Sequence, residues 1–281
     1  MKVGLLLSLA FGVVAMTHAD ARDHVTWFEN ERFVPGHIAK GPMAGTGFLD
    51  IELDWLLPRL YMFEHEVVEA SNARTFHDIA ERAGQCVIGV AATPDRRKLA
   101  SFSRLTILVP AAGLMARADG AARLAPYLDA QGAVDLDLLM RAEALHGIFA
   151  RDRHFGTMID DFLDARRPSL SSVQDMMQAL KMVDGGRADF TFGYSSERTY
   201  YKKIHNGASD LAFLPVAGNP RLFPAYIACS NDAIGAEVIR QVDQLLGGFP
   251  GPPPYVREML QWFDEEEGKA MLDPANWTER H

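Results

Sequence analysis

The segment "QCVIGVAATPDRRKLASFS" (residues 85–103) decides how this chain folds. Its first eight residues form a continuous apolar run, which is typical of a strand buried on both faces of a sheet. The preceding residues alternate between strand and helix patterns: a strand at His24–Glu29, a helix over 48–61, a strand over 62–70 and a helix over 73–84. This βαβαβ order predicts a largely parallel sheet with helices on both faces.

A second series of alternating elements follows the segment. The predicted strands lie over 113–118, 145–150, 188–194 and 225–230, and the predicted helices over 156–166, 171–186, 195–207, 231–248 and 254–272. The sequence contains no heptads, low-complexity tract or short repeat. The chain therefore reads as two similar α/β units.

Composition and charge exclude some classes of function. The 281 residues are 48% hydrophobic and 23% charged, which is ordinary for a soluble globular protein. The formal net charge is −9, and no basic run exceeds "RRK" at 96–98. Because nucleic acids and anionic membranes attract positive surfaces, neither is predicted as a partner.

The N-terminal residues 1–21 are typical of a cleavable signal peptide. Lys2 precedes fourteen uncharged, mostly apolar residues, and cleavage after Ala19 or Ala21 would fit the small-residue rule. A membrane anchor is the alternative, but the apolar run is shorter than the roughly 20 residues that span a bilayer. The predicted location is therefore the periplasm.

Two cysteines, Cys86 and Cys229, both lie in apolar runs. In an exported protein an even number of cysteines favours one disulfide. Two buried free thiols, each acting as a small apolar side chain, are the alternative. The spacing alone does not decide between them.

Catalytic and cofactor motifs are absent from the sequence. No G-x-S-x-G, no lysine three residues after a serine and no H-E-x-x-H occurs. The glycines of "GPMAGTG" (41–47) lack the lysine and hydroxyl of a phosphate-binding loop. No enzyme activity, cofactor or metal site is predicted.

The segment "GVAATPDRRKLASFS" resembles type II periplasmic solute-binding proteins, especially the polar amino-acid-binding group. The matching positions are Gly89, Thr93, Arg96 and Phe102-Ser103. Further similar segments, in the family's order over nearly the whole mature chain, are "GTGFLDIELDWLLPRL", "GRADFTFGYSSERTYYKK", "YIACSND" and "YVREMLQWF". The chain is most similar to a poorly characterised, transporter-like branch of that family.

The resemblance implies two α/β lobes, each a mixed, mainly parallel sheet flanked by helices, joined by a two-strand hinge. The implied boundaries are lobe 1 over 22–105 plus 226–281, the hinge over 106–110 and 221–225, and lobe 2 over 111–220. Ligand would be enclosed as the lobes close. In this fold the strands that carry Cys86 and Cys229 are neighbours, so the resemblance favours the disulfide.

The resemblance also implies a ligand site. Arg96 matches the arginine that grips the ligand carboxylate, because a guanidinium offers two parallel N–H donors. Arg97 and Lys98 are expected to face solvent. The other implied positions are an aromatic wall at Phe33 and Trp27, strand-end backbone at Gly89 and Ala91, and a helix N-terminus at Arg153, His154, Phe155 and Gly156.

One departure concerns the recognition of an α-amino group. The family places an aspartate where this chain has Tyr194, and Asn30 stands near another expected acidic residue. A ligand with an acidic end and an aromatic or uncharged remainder therefore fits as well as an α-amino acid. Loss of ligand binding is a further alternative.

The predicted function is capture of a small polar, carboxylate-bearing solute by a monomeric exported protein, for delivery to an ABC-type permease or a membrane sensor. An enzyme on the same scaffold, dehydratase-like or transglycosylase-like, is one alternative. It would need a buried acid, for which Glu197 and Asp152 are candidates, although both also fit surface or capping roles. A ligand-free sensory or interaction module is the other alternative.

Overall fold

The computed structural model of the protein describes residues 22–30, 33–151, 153–164 and 169–278. The predicted signal peptide at 1–21 and the candidate acid Asp152 lie outside the described residues. Across the described ranges, none of the helices has the length and apolar character needed to cross a membrane.

The described part of the chain contains ten strands and eleven α-helices. The strands are β1 (His24–Glu29), β2 (Glu64–Glu69), β3 (Gln85–Val90), β4 (Ala100–Pro110), β5 (Gly113–Arg117), β6 (Gly147–Ala150), β7 (Leu170–Val173), β8 (Phe190–Gly193), β9 (Leu211–Leu214) and β10 (Leu222–Ser230). The helices are α1 (Phe48–Leu56), α2 (Asn72–Glu81), α3 (Pro94–Leu99), α4 (Ala121–Leu124), α5 (Leu136–Leu139), α6 (Thr157–Asp164), α7 (Met176–Asp184), α8 (Ser195–Ile204), α9 (Ala233–Leu246), α10 (Val256–Met259) and α11 (Glu265–Leu272).

The strands form two five-stranded mixed sheets. The first has the order β2-β1-β3-β10-β4, in which β1 runs parallel to β2 and β3 while β10 runs antiparallel to β3 and β4. The second has the order β7-β6-β8-β5-β9, again with two parallel and two antiparallel pairings. We call the units built on them the first and second lobes. The predicted two-lobed α/β architecture is confirmed.

The chain passes between the lobes twice. It leaves the first sheet at the end of β4 and returns along β10, and these two strands pair from Leu222↔Pro110 to Ser230↔Ala100. Each lobe packs its own apolar core. Trp27 and Trp262 are fully buried in the first, and Leu114 and Phe192 in the second. The exact lobe and hinge boundaries stay a prediction.

Two of the predicted helices were wrong in extent. The helix predicted over 171–186 begins only at α7, because Asp175 caps that helix by accepting from the Gln178 N–H, while β7 before it adds an edge strand to the second sheet. The helix predicted over 254–272 is divided into α10 and α11. Asp264 and Glu267 form a capping box that starts α11 anew.

The cysteine pair forms a disulfide. Cys229 on β10 lies directly opposite Cys86 on β3, with 4.1 Å between the Cα atoms, and both side chains are fully buried. The disulfide prediction is confirmed, and the alternative of two free thiols is wrong.

Glu52 on α1 is an acid buried in the first lobe. Only 1% of the residue is exposed, and among the residues that the structure describes no donor forms a hydrogen bond of normal geometry with either carboxylate oxygen. Burial raises the pKa of Glu52 to about 7, and the nearby Thr106 hydroxyl offsets part of that rise. The carboxyl group is therefore neutral in the folded protein at mildly acidic pH.

This burial predicts that stability falls as pH rises. Between the ordinary value of 4.5 and about 7 the folded state binds more protons at Glu52 than the unfolded state does. The free energy of unfolding should therefore fall by about 3 kcal/mol across that window, at 1.36 kcal/mol per pKa unit. Glu52→Gln should remove this decline and be the more stable protein above pH 7.

Urea unfolding followed by circular dichroism from pH 5 to 8 measures the difference between the two proteins. Asp54→Asn, on the exposed side of the same helix, is the matched control and should keep the native pH dependence. An equal decline in the native protein and in Glu52→Gln would contradict the prediction.

Candidate functional site

The two lobes meet at an aromatic contact. Phe33, in the segment between β1 and α1, packs edge-on against Tyr194 with 5.8 Å between ring centroids. Phe33 also packs against Phe48 at the start of α1, which holds its ring within the first lobe. Tyr194 belongs to the second lobe, at the residue before α8. The contact therefore joins a loop of one lobe to a helix start of the other.

Arg153 lies inside this contact. Its guanidinium carbon is 5.2 Å from the ring centroid of Phe33, 5.5 Å from that of Phe155 and 5.8 Å from that of Tyr194. Its Nη2 atom lies 2.8 Å from Oε1 of Glu197, whose side chain is fully buried, while that of Arg153 is 14% exposed. We call Phe33, Arg153, Phe155, Tyr194 and Glu197 the arginine cage.

Local sequence explains how α8 supplies its part of the cage. Glu197 is the third residue of the helix, and its Oε2 accepts from the Tyr194 N–H at 2.8 Å. A carboxylate is favoured there by the helix dipole. Gly193 leaves room for it, since a Cβ at that position would lie 2.8 Å from Glu197 Oε2 and 2.4 Å from Met115 Cε. The capping role considered for Glu197 is therefore what the fold uses.

Tyr194 provides no negative charge at the position where an aspartate was expected. Burial raises the pKa of its hydroxyl to about 12, although the charge of Arg153 acts in the opposite direction. The neutral hydroxyl donates to the carbonyl oxygen of His154 at 3.3 Å. The position that the family's aspartate would occupy therefore carries a neutral donor and an aromatic face.

The turn before α6 contains four predicted site residues, and only two of their side chains belong to the arginine cage. Arg153 and Phe155 enter the arginine cage, whereas the side chain of His154 is 83% exposed and approaches Asp160 at 3.5 Å. The Phe155 N–H already donates to Asp160 Oδ1 at 2.9 Å. Gly156 has a φ of +99°, a backbone conformation that favours glycine, and a Cβ there would lie 3.9 Å from Asn219 Oδ1.

Arg96 lies in a different contact. Its guanidinium stacks over Phe76 of α2 at 4.5 Å and donates to the carbonyl oxygen of Ala91 at 3.2 Å. Burial there lowers the pKa of Arg96. The structure thus brings Arg96 and Ala91 together at the end of β3. The roles of both residues in ligand binding stay predictions.

The other predicted positions are spread around this strand end. Gly89 has a φ of +66° and packs against Leu49, and Asn30 donates from Nδ2 to Asn72 Oδ1 at 3.2 Å. Trp27 is fully buried in the core of the first lobe and donates to His65. Arg97 and Lys98 are exposed, as expected for solvated neighbours of Arg96.

A buried ionic cluster was missed by sequence reasoning. His37 Nδ1 lies 2.6 Å from Glu29 Oε2 and 2.5 Å from Asp50 Oδ1. Hydrogen bonds to Asp50 and then Glu29 raise the pKa of His37 to about 10, whereas burial raises that of Glu29. For Asp50, burial acts upward but the His37 and backbone hydrogen bonds prevail, so its pKa is lowered. No spacing motif links the three positions in the sequence, so the cluster becomes visible only when the fold buries the three side chains together.

Comparisons with known proteins find similarity in structure but not in sequence. No protein-family model matches the chain, and no curated protein matches it by sequence. Solved structures do match. A histidine kinase sensor domain with similarity to periplasmic binding proteins has a TM-score of 0.57 at 13% identity, covering 90% of this chain and 97% of its own.

Two further structures are described as binding proteins. An uptake-transporter substrate-binding protein from Streptococcus pneumoniae, with bound histidine, has a TM-score of 0.61 at 13% identity, over 87% of this chain and 94% of its own. An ancestral amino-acid-binding protein, a precursor of cyclohexadienyl dehydratase, has a TM-score of 0.61 at 16% identity, over 86% of this chain and 96% of its own. At such identities the likeness establishes architecture, and on that basis the chain has the two-lobed fold of type II periplasmic binding proteins.

Proposed function

We propose that this chain is an exported, periplasmic solute-binding protein that captures a small polar, carboxylate-bearing ligand between its lobes. It would pass the ligand to an ABC-type permease or a membrane sensor. The observation that carries the proposal is the arginine cage, in which Phe33 of one lobe covers Arg153 and Tyr194 of the other. The similar Streptococcus pneumoniae protein holds histidine, and the similar sensor domain belongs to a histidine kinase, which supports both modes of delivery.

The charge in the cage favours an anionic ligand. An aromatic cage with a buried carboxylate is suited to a cation, and here Arg153 of the chain itself occupies that place. A free cationic ligand would have to compete with Arg153. A carboxylate instead can use the guanidinium donors that Glu197 leaves free, once Phe33 moves away as the lobes separate.

A ligand screen with matched variants tests this proposal. Amino acids, dicarboxylates and aromatic acids are compared by thermal shift, because a ligand that binds only the folded protein at 100 times its Kd adds about 2.7 kcal/mol. Arg153→Met and Arg96→Ala should each weaken the carboxylate ligand by about 100-fold, since bonds between charged groups are worth up to about 3 kcal/mol. Arg97→Ala, on the exposed neighbour of Arg96, is the control and should bind normally.

The screen also separates the alternatives. The similarity to a precursor of cyclohexadienyl dehydratase favours testing an enzyme in which the buried Glu197 acts as an acid. Turnover of a bound compound, abolished by Glu197→Gln, would support that function. If no compound in the panel raises the melting temperature, the ligand-free sensory or interaction module is the better account.

A further inference from the structure

The cluster of Glu29, His37 and Asp50 has the composition and packing of a metal site. One ligand atom from each, the imidazole Nδ1 and two carboxylate oxygens, lies within 4.8 Å of the others. The side chains are 3%, 13% and 7% exposed. Glu29 is the last residue of β1 and Asp50 lies in the first turn of α1, so two secondary-structure elements hold the carboxylates in place.

A proton on His37 does not satisfy this cluster. Nδ1 carries at most one hydrogen, yet oxygens of both Glu29 and Asp50 approach that same nitrogen, at 2.6 and 2.5 Å. Oε1 of Glu29 is buried without a hydrogen-bond partner in the part of the chain that the structure describes. An unpartnered buried carboxylate oxygen costs free energy that a bound cation would recover.

The outer contacts of the cluster orient its ligand atoms. Asp50 Oδ2 accepts from the N–H groups of Ile38 and Gly47 at 3.0 and 2.9 Å, which turns Oδ1 toward His37. On the other edge of the imidazole, Nε2 lies 3.4 Å from Glu69 Oε1. Metal-bound histidines are held in this way, with the second ring nitrogen facing a carboxylate and the first left to bind the metal.

We propose that Glu29, His37 and Asp50 bind one divalent transition-metal ion, with Zn²⁺ the best fit. An imidazole nitrogen favours such ions over Ca²⁺ and Mg²⁺, which prefer oxygen ligands alone. Three protein ligands at about 2.0–2.2 Å leave a fourth position for water. The backbone N–H of His37 also donates to the Phe33 carbonyl oxygen at 3.0 Å. A bound ion would therefore fix the loop whose Phe33 side chain belongs to the arginine cage.

Zn²⁺ titration of the mature chain, dialysed first against EDTA and then against chelator-free buffer, tests the proposal by calorimetry. We expect one equivalent to bind, with a rise in melting temperature. Glu29→Gln and His37→Gln should each lower the affinity at least about 100-fold, and Glu69→Gln about 10-fold, as for an outer carboxylate. His24→Ala is the matched control, because His24 pairs with Glu66 at 3.3 Å on the exposed surface and should not matter.

Several results would overturn the assignment. They are binding below one equivalent, unchanged affinity in Glu29→Gln, an equal loss in His24→Ala, or equally tight binding of Mg²⁺ or Ca²⁺. If the ligand variants fail to fold, Mn²⁺ added to the native protein decides: it should broaden the ring resonances of His37 before those of His24. Broadening of His24 first would place the ion elsewhere.

Discussion

Loss of the Cys86–Cys229 disulfide is expected to lower the free energy of unfolding by about 5 kcal/mol, because the bond closes a loop with a sequence separation of 143 residues. That loop contains the whole second sheet, so the bond ties β3 to a strand that returns only after the second lobe is complete. The unfolded chain loses the most conformational freedom when so long a loop is closed.

The double variant Cys86→Ala/Cys229→Ala and the native protein reduced with dithiothreitol separate two effects. Reduction removes only the bond, whereas the variant also removes two buried sulfur atoms. Tryptophan fluorescence during urea unfolding reports on the first lobe, since Trp27 and Trp262 are buried in its core. Equal midpoints for the oxidised and reduced proteins would contradict the prediction.

Glu197→Gln is expected to destabilise the second lobe by about 3–5 kcal/mol, because it leaves the guanidinium of Arg153 buried without its counter-charge. The amide can still accept from the Tyr194 N–H, so the capping hydrogen bond is retained. The loss therefore reports on the charge pair. Urea unfolding followed by far-ultraviolet circular dichroism measures it.

Arg153→Met in the Glu197→Gln background should restore most of that stability, since a neutral, apolar side chain in the aromatic cage needs no counter-charge. Glu237→Gln is the control. It breaks an exposed ion pair with Arg240, at 2.6 Å, and should cost less than about 1 kcal/mol. A cost for Glu197→Gln as small as that of the control would show that Arg153 is adequately solvated without Glu197.

Elements with a strong local pattern were predictable from the sequence. The bounds of β1 match the predicted strand, β3 and α9 lie within their predicted ranges, and α2 begins one residue before its range, because buried strands and capped amphipathic helices have local patterns. The helices predicted over 171–186 and 254–272 failed for a physical reason. The helical pattern of apolar residues does not stop at a capping residue, so it does not show that α7 begins after Asp175 and α11 after Asp264.

Site residues were predictable one at a time, through the resemblance, but not as a group. Phe33, Arg153, Phe155 and Tyr194 were all named from the sequence, yet only the fold shows that they surround one guanidinium. Arg96 was named with them and packs instead on Phe76.

The sequence by itself determined the strands and helices with strong local patterns, the division into two α/β units and the apolar runs that contain the cysteines, but not the strands β7 and β9. Tertiary structure alone decided which charged groups face each other. It joined Arg153 to Glu197, and Glu29 to His37 and Asp50, across separations that follow no helix or strand period. The physical reason is that local periodicity reports which side of an element is buried, whereas a buried charge is stabilised by whatever partner the packed lobes bring within a few ångströms.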